Sequence, residues 1–456
     1  MDYKTLYEKA SPNKLFATVA IPGIISMLVS SLYQILDGAF VGKLLGATAF
    51  AAVNLAMPMV IINFAISDLV GVGSAIPIAI KLGEKKEEEA CNIFSAACLM
   101  IVAAGAVLGA LLFVFAEKLA LMMGADSTLA ALAADYLKIY ALFSPFITIL
   151  FAVDNYLKIC GKVKYSMMIN ILMSVLSAAF EALFLIVFKM GIYGAALGCA
   201  SGMFICVLIG FMPFFFKKTK LRFTKPKITK EVLTAIITNG MPIFLDNVSG
   251  RITSLFINSS LLKMGGTMAV SAYGVMMYAD GIMCPVLYGM CDSIQPAVGY
   301  NYGAKNYGRV AEIERRCFGV CGVLSVLMAG IMLWQKELMV SIFVKKEEVA
   351  LIAMSLNALT FFSFTYLTRW ISMAVQSYLS AIGKAGYSAI ISITMAFIAP
   401  MAVLGSLYPM KLTGLWLNPP ITALIVASLS LVLLKLHLTK EKAALKELEG
   451  AEALKG

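Results

Sequence analysis

The most regular feature of the chain is a series of long apolar runs, each bounded by glycine, proline or charged residues. An α-helix needs about 20 consecutive apolar residues to cross the hydrocarbon core of a bilayer, and the runs are long enough to do so. The pattern therefore predicts an all-α polytopic membrane protein with twelve transmembrane helices. The predicted spans are residues 15–41, 49–80, 91–115, 131–157, 165–188, 192–216, 232–262, 268–299, 310–334, 350–380, 387–408 and 412–436.

The two halves of the chain repeat each other. Prolines and glycines recur 220 residues apart along the whole half: Pro22 and Pro242, Gly46 and Gly266, Gly83 and Gly303, Gly194 and Gly414. Because six spans is an even number, both copies enter the membrane in the same direction, as in transporters built from parallel repeats. We predict two parallel six-helix lobes, residues 1–216 and 232–436. A basic linker joins them at 217–231, and a tail follows at 437–456.

Composition supports a membrane protein and excludes several other classes. Of the 456 residues, 61% are apolar and 14% charged, against about 45–50% and 25% in soluble domains. The first apolar run is longer than the core of a signal peptide and is predicted to be retained as a span. The nine cysteines lie mostly within apolar runs without a CxxC pair, which favours reduced thiols that pack as small apolar side chains.

The net charge of +11 indicates orientation. Of the 37 lysines and arginines, 26 fall in segments on one side of the predicted membrane: the N-terminus, the linker, the tail and the even-numbered loops. By the positive-inside rule this side is the cytoplasm, so both termini are predicted to be cytoplasmic. The basic excess is then a topological signal with a possible contact to anionic lipid headgroups, and not a nucleic-acid surface.

Two predicted helices of the first lobe carry polar stripes that end in a carboxylate. The first stripe contains Tyr33, Gln34 and Asp37 on one helical face, and the other contains Asn170, Ser177 and Glu181. Polar groups at membrane depth need each other or water. We therefore expect Asp37 and Glu181 to meet and share a proton, with Tyr33, Ser177 and Asn170 completing an ion-coupling or proton-coupling site.

The second lobe does not repeat this pair. At the 220-residue offset, Asp37 corresponds to Ile257 and Glu181 to Met401. Its polar positions lie elsewhere, and we expect Arg251 and Arg369 to neutralise Asp246, Asp280 or Asp292. The predicted ion-pair or gating group is Arg251, Arg369 and Asp280. The residues predicted to line a substrate cavity are Gln34, Asp154, Asn155, Asp246, Asp292, Tyr288, Gln295 and Gln376.

Signals of enzyme chemistry are missing from the sequence. The single histidine, His437, follows the last predicted span, which leaves no histidine triad and no histidine-based metal site. The glycine spacing at 71–83 lies within a span and does not follow a strand, and no Walker-type lysine loop is present. We predict no enzyme activity, no bound metal and no cofactor apart from a coupling ion, H⁺ or Na⁺.

Four stretches carry a family resemblance: PGIISMLVSSLYQILDGAFVGKLLGATAFAAVNLAMP (22–58), GKVKYSMMIN (161–170), MGIYGAALG (190–198) and QPAVGYNYGAKNYGRV (295–310). In these stretches the chain resembles the multidrug and toxic compound extrusion (MATE) family, and in particular its bacterial proton-dependent branch. The resemblance implies a V-shaped pair of lobes that exports organic cations by rocking of one lobe against the other.

The resemblance also implies roles for single residues. Asp37, within LDGAFVG, and Glu181, thirteen residues before Gly194, match the acids of the proton-dependent amino-lobe site, with Glu in place of the more usual Asp. Tyr33 matches the same site. The sodium-linked branch has an acid at the position of Gly250, so a carboxyl-lobe sodium site is not supported by this sequence.

Together these features predict a secondary antiporter in a bacterial cytoplasmic membrane, acting as a monomer in the lipid bilayer. It would export small cationic amphipathic compounds in exchange for protons or, less favoured, sodium. One alternative is a flippase for lipid-linked glycans or lipids, with Arg251, Arg369 and Lys81 around a diphosphate. A passive channel and a membrane-embedded enzyme are further alternatives. No nucleic-acid partner is expected.

Overall fold

The computed structural model describes residues 4–453, without the side chains of Ala39, Ala47 and residues 442–453. The end of the predicted tail, 454–456, lies outside the described residues. All regular elements within them are helical. The α-helices are α1 (Pro12–Phe40), α2 (Ala47–Gly83), α3 (Glu87–Met122), α4 (Ser127–Ile147), α5 (Leu150–Ile159), α6 (Val163–Ala182), α7 (Ile192–Phe215), α8 (Lys230–Gly303), α9 (Tyr307–Phe343), α10 (Val349–Ser363), α11 (Thr365–Ala381), α12 (Ala385–Ile393), α13 (Ala399–Leu407) and α14 (Lys411–Ala453).

Nine of the described helical segments are long and apolar enough to span a membrane, or ten when the bent pair α10 and α11 is one span. Several of these segments contain a break, including one at Gln335 of α9 with φ −105° and ψ 15°. Gly266 interrupts α8 with φ 64° and ψ −161°, and Lys411, with φ 52°, separates α14 from α13. As one rod, the 74 residues of α8 would reach about 110 Å, against an apolar core of about 30 Å, so the chain must turn at Gly266. The exact number of twelve spans stays a prediction.

The backbone turns recur with the spacing seen in the sequence. Eight of the eleven described residues with positive φ, a conformation common at helix ends, form pairs separated by 220 or, in one case, 222 positions. The pairs are Gly46 and Gly266, Lys85 and Lys305, Gly191 and Lys411, and Gly161 and Gly383. The two halves therefore turn at equivalent places, although a lysine replaces glycine at one of them.

The halves pack tightly against each other at one end of the molecule, where α2 meets α8. A Cβ on Gly83 would lie 2.0 Å from the carbonyl oxygen of Tyr300, and a Cβ on Gly303 would lie 2.1 Å from that of Ile80. Because these contacts are related by the same 220-residue offset, they form a symmetric seam. This end also carries the N-terminal segment, a short helical stretch at Thr5–Lys9, so the lobes are closed on the side that the charge pattern predicts to be cytoplasmic.

The N-terminal segment reinforces this closed end. The Tyr7 hydroxyl donates a hydrogen bond to the carbonyl of Lys158 in the first half, while Arg309 of the second half donates to the carbonyl oxygen of Tyr7 at 2.5 Å. The Tyr300 hydroxyl donates to the Glu8 carboxylate at 2.6 Å. Burial raises the pKa of Tyr7, so its hydroxyl remains protonated and able to donate. The segment therefore connects both halves.

Candidate transport sites

The first candidate site is a pair of carboxyl groups within the first half, Asp37 near the end of α1 and Glu181 near the end of α6. Their carboxyl groups are neighbours that act on each other electrostatically. Glu181 is 0% exposed, and neither of its carboxylate oxygens has a hydrogen-bond donor among the described residues. A proton held between the two carboxyl groups would supply that donor, since two ionised carboxylates cannot hydrogen-bond to each other.

Close packing of α7 against α6 encloses the carboxyl pair. A Cβ on Gly198 would lie 2.5 Å from the Cα of Glu181, so only glycine permits this approach of the two helices. Tyr33 is buried one turn before Asp37 and lies beside Cys199 of α7. Two further buried tyrosines of α4, Tyr136 and Tyr140, surround the pair. Three buried tyrosines therefore lie around the two acids.

Ser177 and Asn170 occupy different places along α6. Ser177 is buried one turn from Glu181 and donates to the carbonyl of Cys199 at 3.3 Å, so it stays near the pair. Asn170 instead donates to Asp154 Oδ1 at 2.7 Å. This placement differs from the sequence prediction, because eleven residues of helix separate Asn170 from Glu181 by about 16 Å.

The second candidate site is a central cavity of about 300 Å³ between the halves. Seven of the eight residues predicted to line a substrate cavity are in its wall: Asp154, Asn155, Asp246, Tyr288, Asp292, Gln295 and Gln376. Asp68 of α2 also lines it. The eighth predicted residue, Gln34, is exposed on α1 and is not part of this wall, to which α1 contributes Met27, about two helical turns earlier.

The charged side chains that line the central cavity are mainly acidic. Four carboxylates, Asp68, Asp154, Asp246 and Asp292, share its wall with one cation, Lys158. Lys158 pairs with Asp154 at 2.7 Å and is only 5% exposed, so its charge is already compensated. Ser166 also donates to Asp154. The other carboxylates remain available to a positively charged ligand; among the described residues, the one hydrogen-bond donor to Asp292 is the amide of Gln295 at 3.1 Å.

A larger cavity of about 460 Å³ lies within the second half and adjoins the first at Asp246 and Tyr288. Arg369 donates to both oxygens of Asp280, at 3.0 and 3.1 Å, and the Tyr366 hydroxyl donates to the same carboxylate at 2.5 Å. Arg251 also lines this cavity, but within the described part of the chain no carboxylate pairs with it. Arg251 nevertheless acts electrostatically on Asp246 of the same cavity, as predicted, but without the close contact of an ion pair.

Some site residues were not identified from the sequence. Lys158 and Ser166 were missed, although Lys158 stands one turn after Asp154, a spacing that marks a helical ion pair. Tyr136 and Tyr140 were also missed, since nothing in their own segment points to Asp37. Three buried cysteines, Cys291, Cys317 and Cys321, come together across two helices, and only the i, i+4 spacing of the last two was visible in the sequence.

A helical membrane-spanning chain with an internal repeat and a cavity between its halves has the architecture of a secondary transporter. The MatE family model matches residues 22–183 and 242–405, and the chain belongs to this family. The two matched regions begin 220 residues apart, the spacing of the repeat.

Relatives align over most of the chain. The multidrug export protein MepA of Staphylococcus aureus is 26% identical over 402 residues, covering 87% of each protein. MepA of Staphylococcus saprophyticus is 26% identical over 455 residues, covering 97% of this chain and 98% of that protein. Because these alignments cover most of both proteins, the similarity extends over both halves of the chain.

Solved structures share the fold. An outward-facing multidrug resistance MATE family transporter of the MOP superfamily has a TM-score of 0.91 at 20% identity, covering 97% of this chain and 99% of that one. A MOP superfamily transporter from Pyrococcus furiosus, described as having a binding pocket of reverse polarity, has a TM-score of 0.90 at 21% identity, with 97% and 98% coverage.

Proposed function

We propose that this MatE family protein is a proton-coupled antiporter that exports cationic amphipathic compounds from the bacterial cytoplasm. The observation that carries the proposal is the buried Glu181 beside the half-buried Asp37: neither oxygen of Glu181 has a donor among the described residues unless one of the two carboxyl groups holds a proton. The pair is thus suited to take up and release a proton. The curated relatives named as multidrug export proteins support the choice of substrate.

The acidic central cavity supports a positively charged substrate. Because the same fold is described elsewhere with a binding pocket of reverse polarity, the fold alone does not fix the sign of the substrate's charge. Here four carboxylates and one already paired lysine line the cavity. A diphosphate of a lipid-linked glycan would be repelled, and Lys81 is engaged with Glu84 and Glu89 at 3.2 and 2.8 Å. The flippase alternative is therefore disfavoured.

Antiport requires only that the proton and the substrate favour opposite protonation states of the same carboxyl groups. With the cavity open to the cytoplasm, ionised Asp37 and Glu181 attract the cation; protonation from the outside then lowers its affinity and releases it. The two ligands are coupled through one free energy, so each weakens the other by the same factor. Sodium remains the less favoured ion, because Gly250 and Asp246 do not reproduce the sodium-linked pattern.

The closed seam between α2 and α8 supports alternating access by rocking of the two lobes. In the proposed orientation, with both termini and the linker cytoplasmic, the seam shuts the cytoplasmic end in the present state. The proposed transporter acts as a monomer in the cytoplasmic membrane. Each lobe moves as a packed body, which favours two discrete states over a passive channel.

The test is transport in proteoliposomes with an imposed pH or sodium gradient and ethidium as the fluorescent cation. We expect the pH gradient to drive ethidium transport and Asp37→Asn to reduce it to the level of empty liposomes. Glu117→Gln is the matched control, because Glu117 is an exposed acid near the end of α3. Transport driven by sodium alone, or unaltered transport by Asp37→Asn, would overturn the proposal.

A further inference from the structure

Three buried thiols lie together in the second half of the protein. Cys291 is on α8, and Cys317 and Cys321 follow each other by one turn on α9. The Sγ atoms of Cys291 and Cys321 are 3.6 Å apart, those of Cys317 and Cys321 are 3.9 Å apart, and all three lie within 4.8 Å of one another. Within the part of the chain that the structure describes, this is the one group of residues with metal-site spacing.

The spacing suits three sulfur ligands around one central atom. A bond from thiolate sulfur to a soft ion is about 2.3 Å long, so sulfurs that share one atom lie about 4 Å apart. The observed separations need only small side-chain adjustments to reach this geometry. Sulfur ligands select soft, thiophilic elements over hard cations such as Mg²⁺ or Ca²⁺.

The surroundings determine which soft element fits. The three cysteines are at most 3% exposed, and the carboxylates that act electrostatically on them are Asp292, beside Cys291, and Glu314, one turn before Cys317. Burial and negative neighbours disfavour a complex with net negative charge. Three thiolates around Zn²⁺ would leave one negative charge in this core, and around Cu⁺ two.

A trivalent metalloid avoids this cost. Arsenous acid is neutral, and its three As–O bonds exchange for three As–S bonds while each thiol proton leaves with a hydroxide as water. No electron is transferred and no charge is created. We propose that Cys291, Cys317 and Cys321 form a binding site for a trivalent thiophilic metalloid, arsenic(III) or antimony(III).

The central cavity provides a route to the site. Cys291 lines that cavity, so a small neutral hydroxide such as arsenous acid can reach one sulfur from the space between the halves. The backbone at Cys291 is held in place, because Ser377 of α11 donates to its carbonyl at 3.0 Å. The site joins α8 to α9, and it does not depend on the coupling ion or on the substrate proposed above.

The experiment uses the full chain, reduced and purified in detergent, with sodium arsenite as the probe. Arsenic K-edge absorption spectroscopy gives the number of sulfur neighbours, and elemental analysis after desalting gives the arsenic per chain. We expect one arsenic bound by three sulfurs. Cys317→Ser and Cys321→Ser should each remove one sulfur and weaken binding by at least about tenfold, whereas Cys206→Ser, a buried cysteine elsewhere, should change neither quantity.

The wild-type measurement can overturn the proposal by itself. Two sulfur neighbours in place of three, or loss of all arsenic on desalting, would exclude the three-cysteine site. The same result would follow from unchanged binding in the Cys291→Ser, Cys317→Ser and Cys321→Ser triple variant. Displacement of bound arsenite by equimolar Zn²⁺ would contradict the argument from charge.

Discussion

Asp154 and Lys158 stand one helical turn apart on α5, and their ion pair lies in the wall of the central cavity with both side chains nearly buried. Ser166 and Asn170 of α6 donate to the same carboxylate, so Asp154 is fully engaged. A buried charge that loses its partner is costly, whereas loss of both charges together can be nearly neutral. The hydrogen bonds from Ser166 and Asn170 therefore fix α6 to Asp154 of α5, while Lys158 compensates the charge of Asp154.

Lys158→Met is therefore expected to destabilise the protein by about 3 kcal/mol, because it leaves Asp154 as an uncompensated buried charge. The Asp154→Asn, Lys158→Met double variant should recover most of this loss. Thermal unfolding in detergent, followed by tryptophan fluorescence or by loss of the monodisperse peak, measures both. Equal destabilisation in the single and double variants would show that packing, and not charge pairing, is the dominant contribution of Lys158.

The Asp37 and Glu181 pair allows a second test on single residues. Glu181→Gln keeps the size of the side chain and supplies an amide donor to Asp37, so the structure should be retained while the shared proton is lost. We expect Glu181→Gln to bind ethidium with an affinity that no longer falls between pH 8 and pH 6, measured by fluorescence anisotropy. The wild type should lose affinity over the same range, since protonation competes with the cation. A retained pH dependence in the variant would assign the proton to another group.

At the scale of elements, the close approach of α2 and α8 depends on glycines. Any side chain at Gly83 or Gly303 would collide with a backbone carbonyl, at 2.0 and 2.1 Å respectively. Backbone atoms cannot move aside as a flexible side chain can. The seam therefore does not tolerate added side-chain atoms, and a single methyl group at either glycine should force it open.

Gly83→Ala is expected to open the seam at the end that carries the N-terminal segment. A cysteine that replaces Ile80 should then react faster with a water-soluble maleimide. Mass spectrometry of the labelled peptides distinguishes this reaction from labelling of the native cysteines. Gly308→Ala on α9 is the control, because a Cβ there meets no atom within 4 Å. Slower or unchanged labelling in Gly83→Ala would contradict the role of the seam.

At the scale of the whole molecule, the sites divide between the halves. The first half holds the carboxyl pair, while the second has Ile257 where Asp37 stands and an Arg369 to Asp280 ion pair in its own cavity. The repeat therefore sets the backbone and leaves the chemistry free to diverge. Coupling in our proposal needs both: the acids of the first half and the cavity shared by the two.

Reciprocal coupling predicts that substrate expels protons from the complete protein. Addition of ethidium to wild-type protein in weakly buffered detergent solution near pH 7 should acidify the solution, because cation binding favours the ionised carboxyl pair. The signal should disappear in the Asp37→Asn, Glu181→Gln double variant and persist in Glu117→Gln. A pH-indicator dye measures the release, and acidification by the double variant would contradict the proposed competition.

Much of this architecture was predictable because hydrophobic burial follows a one-dimensional pattern. Apolar runs predict a helical membrane protein, and the regular offset of glycines and prolines predicts the repeat. The structure matches the backbone turns to this repeat, down to the positive φ of Gly46 and Gly266. Asp37, Glu181 and seven residues of the central cavity were also chosen from the sequence, since a charged or polar residue within an apolar helix stands out.

Only the tertiary structure could decide which of these groups meet. Asn170 donates to Asp154, Gln34 lies outside the cavity wall, and Arg251 acts on Asp246 without a close ion pair. Sequence spacing does not encode the helix crossing angles and axial positions that decide these contacts. For the same reason, the sequence does not predict that the three cysteines lie together. The sequence determined the class of protein, its membrane segments and its acids, since these depend on composition and period. Contacts between helices depend on how the lobes pack, and that packing exists only in three dimensions.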